Sequence, residues 1–332
     1  MKNYKWVKYT LLTVLLCFFT GLSSAQEKSS EKISGLVFFD YTNTLKNAGE
    51  TNNEFEISRA YFTYENKYSD NLNYKFQIDA DRPAAGSRLE VFIKNAMVDW
   101  NTGYGNVTLG LQGMNMYKTQ ENNWGYRFIE KSSMDLYKFS ASADLGIAYA
   151  NKFNDDVSFS VMISNGEGYK KPESNKYKKY SANINYGEQK LASKEGYNFG
   201  GSVSIEPYKL ADESEISTVF GFYGGISKGI VRAGAEFNMM SMKVLPSVTV
   251  NEQIISFYAN VAVIKNFDIF GRFDLFDPNT DVSSDGTNYL IGGFNWQPTK
   301  GLSIAPNIRF KDYQAEGADS DADFKVNFQF KI

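Results

Sequence analysis

The stretch ADFKVNFQFKI, residues Ala322 to Ile332, decides the fold of this chain because its apolar and polar residues alternate without a break. A period of two is the signature of a β-strand with one apolar and one polar face. The run is about as long as a tilted strand needs to cross a bilayer. A strand that spans a membrane must belong to a closed barrel, because an open sheet edge would leave backbone groups without hydrogen bonds in lipid.

The first 25 residues predict a secretory signal peptide that is cleaved. Lysines start the segment, an apolar core follows from Thr10 to Gly21, and small residues precede Gln26. An uncleaved membrane anchor is the alternative, but the apolar core is short for a spanning helix. We therefore predict a signal peptide over residues 1–25 and a single outer-membrane β-barrel domain over residues 26–332. Cys17, the only cysteine, lies in the leader, so we expect no disulfide in the mature domain.

The composition favours a protein that crosses the membrane with strands. Aromatic residues make up 16% of the chain, yet beyond the leader no apolar run approaches the ~20 residues of a spanning helix. Removing the three leader lysines from 35 basic residues leaves 32 against 38 acidic residues, a net charge of −6. This balance argues against nucleic acid as a partner.

The alternation recurs along the chain and predicts an all-β fold, a transmembrane antiparallel up-and-down β-barrel. We expect about 16 strands and allow about 14 to 18, because Pro246, Pro306 and the segment 188–196 interrupt the pattern. A soluble β-sandwich would alternate in the same way, but segments of roughly ten residues favour the barrel. The predicted strands start near Ile33, Phe55, Tyr74, Leu89, Val107, Ala141, Val157, Tyr177, Tyr197, Ile216, Ile230, Ile254, Phe267, Tyr289, Leu302 and Phe324.

The connections between these strands indicate the membrane. Even-numbered connections such as 101–105 and 265–266 are mostly short, whereas odd-numbered ones tend to be longer and polar. Outer-membrane barrels have short periplasmic turns and longer outer loops. We therefore predict the outer membrane of a Gram-negative bacterium as the location and its lipid as a partner.

The third outer connection, residues 113–140, is the longest and combines aromatic with charged residues. Long irregular segments in compact proteins are usually functional or disordered, and Trp124, Tyr126 and Phe128 argue against disorder. We predict that this loop folds into the lumen and forms a constriction; an ordinary packed surface loop is the alternative. The candidate constriction residues of the loop are Lys118, Glu121, Arg127, Glu130, Lys131 and Asp135.

Basic residues on the strands complete the predicted pore lining. Most of them point inward by alternation, whereas two belong to segments that carry apolar residues on both faces. The inward set is Lys75, Arg232, Arg272 and Arg309, and the two others are Arg59 and Lys94.

Three motifs give the chain a resemblance to a known family: Phe55-Glu-Ile-Ser-Arg59-Ala-Tyr61, Tyr74-Lys-Phe-Gln-Ile-Asp79 and Gln120-Glu-Asn-Asn-Trp124-Gly-Tyr-Arg127. In order and spacing they resemble the phosphate-selective porin O and P family, especially its shorter Bacteroidetes-type members. The resemblance implies a sixteen-stranded outer-membrane porin, commonly a homotrimer, with arginines and lysines that favour anions or phosphate at the constriction. Here carboxylates accompany those basic residues, so phosphate specificity does not follow.

The C-terminal strand resembles the signal that the barrel assembly machinery reads, although it ends in Ile332 rather than an aromatic residue.

The residue inventory argues against catalysis. The chain contains no histidine, which excludes Ser-His-Asp triads and histidine metal sites. The acidic segments 277–281 and 319–323 resemble the start of a calcium-binding loop but lack the glycine that such a loop has at its sixth position. We therefore expect no bound metal, and we expect no cofactor.

The expected function is passive passage of small hydrophilic, and by resemblance anionic, solutes or ions. A closed structural or adhesive barrel without conductance, and a soluble secreted sandwich, are the alternatives.

Overall fold

The structure, a computed structural model, describes residues 30–47, 51–82 and 88–332; the predicted signal peptide lies outside them. Sixteen strands in this part of the chain form one closed antiparallel barrel in which each strand pairs with its sequence neighbours. The predicted all-β up-and-down barrel is therefore confirmed. The strands are β1 (Ser30–Lys46), β2 (Asn53–Lys67), β3 (Leu72–Asp81), β4 (Glu90–Asn101), β5 (Asn106–Gly113), β6 (Ala143–Lys152), β7 (Val157–Ser164), β8 (Lys179–Gly187), β9 (Gly196–Leu210), β10 (Glu213–Lys228), β11 (Val231–Leu245), β12 (Val248–Ile264), β13 (Phe267–Asp277), β14 (Thr287–Thr299), β15 (Leu302–Tyr313) and β16 (Asp321–Lys331).

The barrel closes where β16, which carries most of the alternating stretch 322–332, pairs with β1. Asp40 lies opposite Asn327 in this register. On the outer face the rings of Phe39 and Phe328 stack with centroids 4.3 Å apart, and on the inner face Asn327 is buried. The alternating stretch thus separates lipid-facing aromatic residues from a polar interior.

Large apolar side chains cover the outside of the barrel, and aromatic residues gather near the even-numbered connections. Trp100, Tyr104, Phe153 and Trp296 are exposed at that end, as expected for an aromatic girdle at a membrane interface. Among the described residues, none of the helices has the length and apolar character needed to cross a membrane.

The connections depart from the prediction in two places. The odd-numbered connections β9–β10 and β11–β12 are two-residue turns, 211–212 and 246–247, and not long loops. The reason is that strands β9 to β12 run for 15 to 17 residues. They therefore include residues that the alternation pattern assigns to loops. The even-numbered connection 188–195 is longer than the two- and four-residue turns at the same end of the barrel, such as 229–230 and 153–156, and lies in the segment that interrupts the sequence pattern.

Two β-bulges explain why the segments around Arg59 and Lys94 carry apolar residues on both faces. Ser58 is the extra residue between β1 and β2, and Lys94 is the extra residue between β3 and β4. A bulge shifts the alternation by one residue and re-aims the side chains on one side of it. The ladder between β14 and β15 passes from Gly293 directly to Trp296, opposite Pro306, which has no N–H to donate.

Candidate functional site

The connection between β5 and β6, residues 114–142, lies inside the barrel; we call it the inner loop. It contains two short helices, α1 (Lys118–Trp124) and α2 (Ser133–Leu136). Helix α1 ends at Gly125, whose φ of 74° lets its N–H bond to the carbonyl of Glu121. Met116, Trp124 and Met134 are at most 1% exposed, so the loop has a packed apolar core of its own.

Side chains of β11 to β13 hold the first half of the inner loop. The carbonyl of Trp124 accepts hydrogen bonds from Arg232 and Asn260, each at 3.1 Å. The hydroxyl of Tyr126 donates to Asp268 at 2.6 Å. A strand residue that bonds a loop carbonyl fixes the backbone, because an unpaired buried carbonyl would be costly.

Two buried arginines hold the second half. Arg309 donates to the carbonyl of Ile129 at 2.6 Å and pairs with the Glu130 carboxylate at 2.8 Å. Arg272 pairs with Asp274 at 2.7 Å and also donates to the carbonyl of Lys131. Arg272 is 2% and Arg309 8% exposed. The structure therefore places both arginines beneath the inner loop as its anchors.

Glu130 is the inner-loop carboxylate that interacts with both arginines. Burial alone would raise its pKa, but the positive charges of Arg309 and Arg272 outweigh burial and lower the pKa to about 2. The Tyr289 hydroxyl adds a hydrogen bond of 2.9 Å. Glu130 thus remains ionised throughout the neutral range.

The opposite wall of the lumen, formed by β2 to β4, carries a second ionic cluster. Arg59 pairs with Asp79 at 2.8 Å and with Asp81 at 2.7 Å. Lys94 lies 3.7 Å from Asp79, and its ammonium faces the ring of Tyr169 at 4.6 Å. The two bulges therefore bring Arg59 and Lys94 to the same acidic centre.

The outer loop between β7 and β8 reaches this wall as well. The Tyr169 hydroxyl donates to Asp79 at 2.8 Å, and Lys170 pairs with Asp81. Neither Tyr169 nor Lys170 was predicted as a site residue, because no local pattern marks a loop residue that reaches a strand so distant in sequence.

Charged residues of the inner loop face this cluster. Arg127 lies between Glu121 at 3.2 Å and Asp135 at 3.3 Å. Burial lowers the pKa of Arg127, but the electrostatic effects of Tyr61 on the wall and of the two loop carboxylates raise it by more, while Arg59 lowers it. The loop and wall clusters are thus close enough to interact electrostatically.

Two cavities lie beside these clusters. One of about 250 Å³ touches Arg59, Arg127 and Glu130, and one of about 490 Å³ touches Arg59, Asp135 and Tyr169. Arg59 borders both cavities, and the larger one extends along the inner loop toward Lys179 of β8 and Glu206 of β9.

Three predicted residues, Lys118, Lys75 and Lys131, remain. Lys118 is exposed on α1 and Lys75 is half-buried opposite Glu65, while Lys131 lines both cavities. Of the predicted set, Arg59, Lys94, Glu121, Arg127 and Asp135 come together at the gap, whereas Arg232, Arg272, Arg309 and Glu130 bond within the loop anchor.

The sequence profile described as phosphate-selective porin O and P matches residues 32–226, more than half of the chain. No curated protein matches the chain. Among solved structures, the anion-selective porin from Comamonas acidovorans superimposes with a TM-score of 0.71 at 12% identity over 92% of this chain and 100% of that one.

The trimer form of OmpT from Vibrio cholerae gives a TM-score of 0.67 at 12% identity over 92% and 99% of the two chains. The outer-membrane channel DcaP of Acinetobacter baumannii gives 0.65 at 12% over 94% and 100%. At this identity the likeness shows the fold.

Proposed function

This chain belongs to the phosphate-selective porin O and P family, and from its place among outer-membrane channels for small solutes we propose that the inner loop sets the size limit of its pore. On this proposal, solutes pass through the gap between the inner loop and the β2–β4 wall. The observation that carries it is the pair of ionic clusters that face each other there, Arg127 with its carboxylates and Arg59 with its aspartates. Charged groups at a narrow point of a pore select the ions that pass.

The charges at this gap are balanced, which favours a modest rather than a strict ion preference. Four basic side chains face four carboxylates: the basic ones are Arg59, Lys94, Arg127 and Lys170, and the acidic ones Asp79, Asp81, Glu121 and Asp135. Because each arginine already has two carboxylate partners, little positive charge is left for phosphate.

The larger cavity supplies the anion preference that we propose. Lys131, Lys138 and Lys171 line it, and in the described part of the chain no carboxylate lies within ion-pairing distance of them. Unpaired ammonium groups raise the local concentration of anions. We therefore propose that small hydrophilic solutes of both signs pass, and that anions are favoured mildly.

Planar bilayers with the purified, folded protein test this function. We expect stepwise conductance and, in a salt gradient, a reversal potential on the anion side. The substitution Asp135→Asn should shift this potential further toward anions, because one carboxylate at about 6 Å in water-filled space changes the energy of a monovalent ion by about 0.7 kcal/mol, or about threefold in permeability.

Asp212→Asn is the matched control, since Asp212 is fully exposed in the β9–β10 turn. It should leave the reversal potential unchanged. Absence of any conductance would overturn the proposal in favour of a closed structural or adhesive barrel. Deletion of residues 120–133 separates the two further, because conductance should rise in a channel and stay absent in a plugged barrel.

We also propose how the chain is exported, inserted into the membrane and assembled. The alternating strand β16 would be read by the barrel assembly machinery, the leader 1–25 would be cleaved on export, and the chain would form a homotrimer. Mass determination of the purified protein, native for the assembly and denatured for the N-terminus, checks the last two.

A further inference from the structure

The long turn 188–195 at the even-numbered end of the barrel folds back under the inner loop. Its Leu191 is 1% exposed, unlike the apolar residue at another turn of this end, Phe153, which is 68% exposed. An apolar side chain that a turn buries inside a water-filled barrel needs a partner surface. Leu191 lies against β10 at Gly225, a position that Asn123 of the inner loop also approaches.

Gly225 and Gly125 mark the contact surfaces. A Cβ on Gly225 of β10 would lie 2.7 Å from the amide of Asn123 and 3.0 Å from Leu191, and one on Gly125 would lie 3.1 Å from Ala192. The absence of side chains at these glycines lets the turn, the loop helix α1 and the barrel wall approach one another closely.

Asn198 of β9 joins the turn to the inner loop. Asn123 of α1 and Asn198 of β9 exchange two hydrogen bonds of 2.8 Å, and Asn198 also donates to the carbonyl of Glu188 at 2.6 Å. Both asparagines are almost fully buried. Because a reciprocal amide pair satisfies both partners at once, it fixes the loop against the start of the turn.

Arg232 connects the same two segments from the other side. Its guanidinium donates to the carbonyl of Ala192 in the turn at 3.4 Å and to that of Trp124 in the loop at 3.1 Å, and it lies 5.1 Å from the Tyr126 ring centroid. The residue predicted as a pore-lining charge therefore bonds the turn and the loop together.

We propose that the 188–195 turn is a second determinant of the size limit of the pore, together with the inner loop. It supports the inner loop from the even-numbered end of the barrel and occupies the part of the lumen beside β9 and β10. This inference rests on the proposed channel function and adds a specificity-determining element to it.

Single-channel conductance and the exclusion of polyethylene glycols of graded size test the inference. Deleting residues 190–194 leaves a three-residue connection of a length common in hairpins; we expect conductance to rise by about half or more, and larger polymers to enter, as this part of the lumen opens. Leu191→Ala, which keeps the turn length, should move both readouts in the same direction by less. Phe153→Ala is the matched control and should change neither.

The outcomes separate this inference from the channel function. If the wild-type protein does not conduct, the channel function fails. If the wild type conducts and Leu191→Ala and the deletion, both folded by heat-modifiable gel mobility, leave conductance and polymer cut-off unchanged, the second determinant is overturned. If the deletion does not fold, the Leu191→Ala result decides. Because Leu191 carries no charge, the reversal potential should stay constant while the cut-off moves, which a general loss of structure would not produce.

Discussion

Replacing Glu130 with glutamine should release the inner loop from its arginine anchor. In the native protein the pKa of this carboxylate falls from its ordinary value of 4.5 to about 2, which corresponds to about 3 kcal/mol of interaction with the ionised form. Removing one partner of a buried ion pair costs about 3–5 kcal/mol by a separate argument, because the other charge is left uncompensated. The first route predicts that Glu130→Gln shifts the loop-opening equilibrium about 100-fold, and the second predicts at least about that shift.

Cysteine labelling measures that equilibrium. Ser132 is 0% exposed, and its hydroxyl has no hydrogen-bond partner among the described residues, so Ser132→Cys is a mild reporter of opening. The only cysteine of the sequence, Cys17, lies in the predicted leader. When opening and closing are fast relative to labelling, the labelling rate is proportional to the open population, and Glu130→Gln should raise that rate about 100-fold.

The control substitution is Glu173→Gln, because Glu173 pairs with Lys178 in an outer loop away from the anchor. It should leave the labelling rate within about twofold of the parent, as expected for an exposed pair. An equal labelling rate in the Glu130→Gln variant and the parent would refute the anchoring role of the Arg309–Glu130 pair.

Three further predictions follow from the same structure. Since the pKa of Glu130 is lowered, its stabilising effect is fully present above about pH 4.5 and is lost as the pH falls toward about 2; channel noise should therefore rise over that range by more in the wild type than in Glu130→Gln. Gly110→Ala should lower the unfolding temperature in heat-modifiability gels, because Gly110 has a φ of 112° and its added Cβ would lie 2.3 Å from the carbonyl oxygen of Ala96, whereas Gly292→Ala, with open space around it, should not. Phe328→Ala should destabilise the closing pair of strands by about 1 kcal/mol or more through the lost stack on Phe39, measured by the same gels against temperature.

The barrel itself could be predicted because each of its strands is encoded by a short, contiguous sequence pattern. Alternation over ten residues reports which face meets lipid, and at Val157, Phe267 and Leu302 the predicted and observed strand starts coincide. The pattern failed where local information is insufficient. At Arg59 and Lys94 a bulge shifts the alternation, and whether a chain bulges depends on the register with its partner strand.

The interior of the lumen could be predicted only as a list of charged residues. Alternation correctly turns Arg272 and Arg309 inward, but whether an inward charge meets water or a loop carbonyl depends on where residues 114–142 lie. Asp79 and Tyr169 come together from a strand and an outer loop that are distant in sequence. Such contacts arise from closure of the barrel, and no short motif encodes them.

The pairing of β1 with β16 also has a consequence for how the chain reaches its membrane form. Every other ladder joins neighbours in sequence, whereas this one joins Leu36 to Lys331 across nearly the whole described chain, so its entropy of closure is the largest in the molecule. Until it forms, the sheet has two unpaired edges with aromatic side chains beside them, and such edges template pairing between chains. A substitution that weakens the β1–β16 pairing should therefore cause aggregation during assembly before it measurably lowers the stability of the finished barrel.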